Sequence, residues 1–98
     1  MTAETVTVVL SGELDITSEG FLISRLASVR REEPRQLVFD TAQVTFIDCA
    51  SARLLAGTGD WLPPGVKPVI ARPAPAVRRV FQASGLDARC DLTLCGSR

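Results

Sequence analysis

Histidine and tyrosine are both absent from this 98-residue chain. Without histidine there is no Ser-His-Asp triad, no Cys-His dyad, no imidazole-ligated metal and no phosphohistidine relay. Without tyrosine there is no phenolic acid or nucleophile. Lysine is reduced to Lys67, and no glycine-rich phosphate loop accompanies it. The cysteines Cys49, Cys90 and Cys95 are odd in number and contain no C-x-x-C pair, so neither a zinc ribbon nor a redox dithiol is indicated. No apolar run approaches the roughly 20 residues that cross a bilayer, and no charged-then-apolar leader opens the chain. The expectation is a cytoplasmic protein without membrane insertion. Eleven basic side chains balance eleven acidic ones. That balance is unlike a nucleic-acid groove, which needs clustered excess cations to displace counterions.

What remains is aliphatic. Hydrophobic residues make up 46% of the chain and charged ones 22%, a globular composition. The length suits one domain, spanning 1–98. Val6 to Leu10 is β-branched and partly alternating, which predicts a strand. Ser11-Gly12 interrupts it, and Glu13-Leu14-Asp15 resumes as a short extended segment. Leu22, Leu26 and Val29 then recur on one helical face, with Ser18 as the expected N-cap and Pro34 as the stop. Gln36 to Asp40 has the continuous apolar character of a buried parallel strand.

Val44-Thr45-Phe46-Ile47 leads into Asp48, a good N-cap for a second helix running to about Trp61. Pro63-Pro64-Gly65 ends that segment. Val66 to Ala71 predicts a further strand, in which Pro68 suggests an edge or a bulge. A third helix begins at Pro75, turns Val77, Val80 and Phe81 inward and stops at Gly85. Cys90 to Cys95 alternates as a last strand, on which Cys90 and Cys95 would point to opposite faces, too far apart for a disulfide. The order ββαβαβαβ predicts an α/β domain, with a mixed sheet of about four to five strands and three to four helices packed on it.

The quoted stretches resemble the STAS domain family, in particular its anti-sigma factor antagonists. The resemblance rests on LSGELD at Leu10–Asp15, LVFD at Leu37–Asp40, VTFIDCASARLL at Val44–Leu55 and SGL at Ser84–Leu86. The third is the most specific, because members usually carry FIDSSGLRLL there. The resemblance implies a cytoplasmic, bacterial regulator of transcription rather than an enzyme. In the family, a serine at the start of the second helix is phosphorylated by an anti-sigma factor that is a serine kinase. The unphosphorylated form binds that partner and releases the sigma factor. A phosphate adds a charge of roughly −1.5 to −2, enough to abolish a complementary contact, while a helix N-terminus accommodates it. The implied partner contacts are Glu13, Asp15, Asp48, Cys49, Ala50, Ser51 and Arg53. The implied oligomeric state is a monomer or weak dimer, with no cofactor, no metal and no direct nucleic-acid contact.

The chain departs from the pattern at the switch itself. Cys49 takes the first serine position, Ala50 the usual phosphoacceptor position, and Ser51 the glycine position. Either Ser51 is a shifted acceptor, or the protein is not phosphorylated here and binds constitutively. The second reading is favoured, since one residue along a helix turns the side chain by about 100°. Outside sigma control, a STAS-type scaffold of a stress complex or a lipid-transport complex is the alternative.

Several residues also have purely structural explanations: Asp48 as a cap, Asp15 and Asp40 as turn carboxylates, and Cys49 as a small buried hydrophobe. Arg30-Arg31 and Arg78-Arg79 read as solvated helix faces, and Trp61 as core or rim packing. A magnesium-dependent phosphoryl-transfer cluster of Asp15, Asp40 and Asp48 is the remaining, weakly supported reading.

Overall fold

The computed structural model describes residues 4–93. Strand β1 (Thr5–Leu14) leads through a short 3-10 turn (Ile16–Ser18) into helix α1 (Glu19–Arg31). Strand β2 (Gln36–Ile47) leads directly into α2 (Cys49–Gly57), which is prolonged by a second 3-10 turn (Thr58–Asp60). Strand β3 (Val69–Ala71), helix α3 (Pro75–Ala83), a third 3-10 turn (Leu86–Arg89) and strand β4 (Asp91–Thr93) complete the order.

The four strands lie in chain order, β1-β2-β3-β4, and every neighbouring pair is parallel. The expected mixed sheet is therefore a parallel one. An antiparallel component would require a break at Ser11-Gly12, and no break occurs there. Gly12 adopts φ +76, which a glycine takes without steric cost, and β1 continues to Leu14. Strand β2 is likewise continuous across Thr41-Ala42-Gln43 because it holds two more residues than β1 over the paired stretch. Its register slips against β1 between Val9 and Ser11, and again between Gly12 and Glu13. The buried residues of β2 are Leu37, Val38, Phe39, Thr41, Val44 and Ile47, a sequence no strict alternation produces.

Parallel strands in chain order, joined by right-handed crossovers, place their helices on one face of the sheet. The burial agrees: Val8 and Leu10 are enclosed on the helix side, while Val9 between them is 63% exposed. The core joins Val8, Leu37, Phe39 and Ile70 of the sheet to Leu22, Leu26 and Val29 of α1, Leu55 of α2, and Val77 and Phe81 of α3. Thr41 enters it by donating its hydroxyl to the Ala71 carbonyl at 2.9 Å.

Two further expectations shift. Pro68 does not lie within a strand: β3 begins at Val69, between β2 and β4, and the Pro68 carbonyl accepts the Asp91 amide. Ser18 occupies the N-cap position of α1 but does not cap it. Its hydroxyl accepts the Asp15 amide instead, which closes the preceding 3-10 turn. Helix α3 ends as expected, with Gly85 in the left-handed region at φ +77. The pairing of Cys90 with Cys95 lies outside the described residues.

Candidate functional site at the carboxyl ends of β1 and β2

The two longest strands end side by side. Leu14 is in register with Ile47, and the Asp48 amide donates to the Leu14 carbonyl at 3.0 Å. This bond brings the two segments that follow, 15–18 and 48–51, to one end of the sheet. In open parallel sheets this is where ligand and partner contacts concentrate, because loops leave the strands there with free backbone groups.

Asp48 is the N-cap of α2. Its backbone is extended (φ −91, ψ 170), and its carboxylate accepts the Ser51 amide at 2.7 Å. One orphan donor of the first turn is thereby satisfied by a negative charge at the positive end of the helix. On the neighbouring strand, Asp15 has the equivalent role. Its carboxylate accepts the hydroxyl of Thr17 at 2.6 Å and the Thr17 amide at 2.9 Å. The Thr17 hydroxyl, and next the amide, hold the Asp15 carboxyl below the ordinary carboxylate range.

The first turn of α2 divides by face. Cys49 and Ala50 are exposed, Ser51 is buried at 1% exposure, and Arg53 is exposed again. The roughly 100° step per residue decides this: Ser51 shares the inward face with Ala52 and Leu55, whereas Ala50 points outward. A kinase reaching for Ser51 would first have to open the helix start. Cys49 is a correction to the sequence reading. It is not a buried hydrophobe but borders an open groove of about 260 Å³ against α3, with Ala76, Arg79, Val80 and Ala83. Among the described residues the buried thiol is Cys90, which desolvation pushes up to about 11.

Glu13 is exposed and in register with Phe46. Here the structure adds residues that the sequence reading missed. Ile16 is 78% exposed, Phe21 71% and Phe46 49%; Ile16 lies in the 3-10 turn after β1, Phe21 in the first turn of α1, and Phe46 in the strand that runs directly into α2. A signal for Phe21 was present, since it falls about 100° off the Leu22, Leu26 and Val29 stripe. Phe46 carried no such signal, because the bulges in β2 decide which way it faces.

The three aspartates of the phosphoryl-transfer reading do not assemble. Asp40 lies back along β2, paired with Arg72, and that guanidinium holds its carboxyl below the ordinary range. Among the described residues, no group of three His, Cys, Asp or Glu side chains could hold a metal ion. No helix among them is long and apolar enough to cross a membrane.

The model of the STAS domain family matches residues 2–94. The chain belongs to the STAS family. Two solved structures are similar to this STAS domain. It is similar to the anti-sigma factor antagonist SpoIIAA in its unphosphorylated form, with 27% identity and a TM-score of 0.73 over 94% of this chain and 82% of that one. It is also similar to an anti-sigma factor antagonist from Mycobacterium paratuberculosis, with 28% identity and a TM-score of 0.82 over 91% of this chain and 76% of that one. A search of curated proteins gives no match.

Proposed function

We propose that this STAS domain is a regulatory binding module, not an enzyme, whose partner is an anti-sigma factor of the serine-kinase type. The docking surface is the outer side of the α2 start, Cys49-Ala50 with Arg53, flanked by Glu13 and Asp15 and by the apolar side chains of Ile16, Phe21 and Phe46. Exposed aromatic groups beside charged ones are the composition of an interface core and its rim. The observation that carries the reading is the exposure of Ala50 where the family places its phosphoacceptor, next to a buried Ser51. Alanine takes no phosphate, so the module binds its partner constitutively and influences sigma-factor-dependent transcription without this switch.

The test is to mix the protein with candidate anti-sigma factors, with and without ATP. Binding would be measured by calorimetry and any phosphate located by mass spectrometry. The expected result is a complex that survives ATP, with no phosphate on Ser51. Phosphate on Ser51 with release of the partner would overturn constitutive binding. Failure to bind any such kinase, together with capture of other assembly components, would favour the scaffold reading, to which an acceptor-free surface is equally suited.

A further inference from the structure

At the opposite end of the sheet, where α1 and α2 finish, lies a cleft of about 370 Å³ that the docking surface does not include. Its walls are Arg30 and Glu33 from the end of α1, Pro34 and Arg35 from the link to β2, and Trp61 and Pro63 beyond α2. The guanidinium of Arg30 lies over the Trp61 ring, 6.0 Å from its centroid. A guanidinium resting on an indole keeps its N–H edge free for a planar oxyanion, and the contact holds the fork in place before a ligand arrives. Arg30 and Arg35 form no ion pair among the described residues. Among the residues lining the cleft, Arg30 and Arg35 are the cations and Glu33 is the one carboxylate. That residue follows the C-cap of α1 at φ +50, and its amide donates to the Arg30 carbonyl at 3.0 Å, which ends the helix and turns the chain along the cleft.

We propose that this cleft binds a small aromatic oxyanion. Arg30 and Arg35 take its phosphate or carboxylate group, and Trp61 with the flanking prolines takes its ring. The ligand class follows from the walls: two guanidinium forks without an ion pair among the described residues prefer a charged group with two or three oxygens, and the apolar remainder prefers a flat hydrocarbon body. Glu33 opposes the anion, so the site is tuned for modest affinity.

The chain supplies its own reporter, because Trp61 is its one tryptophan and tyrosine is absent. Emission excited at 295 nm would be followed while phenyl phosphate, benzoate, inorganic phosphate and phenol are titrated at constant ionic strength. The expected result is a saturable change with phenyl phosphate or benzoate at least several-fold tighter than with inorganic phosphate or phenol. Which of the two aromatic anions binds better identifies the oxyanion. Arg35→Gln should weaken binding about tenfold, as loss of one charge-assisted contact does. Glu33→Gln should tighten it a few-fold by removing the opposing charge. The opposite signs separate a ligand contact from general damage to the fold, and circular dichroism checks that both variants are folded. A linear, unsaturable response overturns the proposal. So does a saturable one that both variants leave unchanged, since the anion then binds elsewhere.

Discussion

The Asp48 cap can be removed in two steps, because alanine and asparagine take away different features of it. Asp48→Ala deletes the acceptor of the 2.7 Å bond from the Ser51 amide and leaves an orphan donor beside a buried residue. The expected loss is about 1 kcal/mol, within a range of roughly 0.5–2. For a domain of this size that is a fall in Tm of about 4–8 °C. Asp48→Asn keeps a side-chain oxygen for the same amide and removes only the charge, so it should cost about 0.3 kcal/mol, the low end of the helix-dipole range. In urea titrations followed by circular dichroism, the midpoints should run wild type, then Asn, then Ala, with an unchanged slope. Salt provides the internal check. At about 1 M, where screening reaches roughly 3 Å, the gap between wild type and Asn should shrink while the gap between Asn and Ala persists. An alanine variant as stable as wild type would refute the capping argument, and so would an asparagine variant as unstable as alanine. If Asp48 also touches a partner, Asp48→Asn should weaken the complex beyond what its small stability loss explains.

Four further outcomes follow from the same structure. Ala50→Ser should create an acceptor on the exposed face at a folding cost of about 0.5 kcal/mol or less; with a cognate kinase and ATP, mass spectrometry should find phosphate on residue 50, and phosphate on Ser51 instead would contradict the burial. Alkylation mapped by mass spectrometry should label Cys49 well before Cys90, whose thiol is buried and pushed up to about 11; equal rates would count against the described packing. Asp40 has a folded-state pKa below its unfolded value, so its contribution is present above about pH 4 and lost as the pH falls through the folded value; acid titration of Asp40→Asn should lack that share of the stability loss. Gly85→Ala forces a Cβ into the left-handed region that ends α3 and should cost about 1 kcal/mol in thermal unfolding.

Much of this was legible in the residues because it depends on neighbours along the chain. The Leu22, Leu26 and Val29 stripe, the Asp48 cap, the Pro75 start and the Gly85 stop are local: each is a matter of helical period or of one side chain reaching its own backbone. The family resemblance overlaps these features at Asp48 and Gly85 and otherwise rests on the strand stretches Leu10–Asp15 and Leu37–Asp40 and on the start of α2. What the chain hid was phase across strands. Two additional residues in β2 shift its pleat against β1, and a shift of one residue sends a side chain to the other face. That is why Phe46 faces out, whereas β1 looked like two short strands because Ser11-Gly12 reads as a break and the positive φ that Gly12 takes without ending the strand is not visible in the sequence. Cys49 was misjudged for a related reason. Its composition class is usually buried, yet its exposure depends on how far α3 stands from the start of α2.

The amino-acid sequence by itself determined the alternation of strands and helices, the caps and stops, and the replacement of the usual acceptor by Ala50. All of these are set within a few residues of chain. Tertiary structure alone decided that the sheet is parallel throughout its described pairs and that Ser51 lies inside while Ala50 faces solvent. It also decided that Ile16, Phe21 and Phe46 are left exposed. Those outcomes depend on interstrand register and on helix rotation against the sheet, both chosen by the packing of groups far apart in the chain.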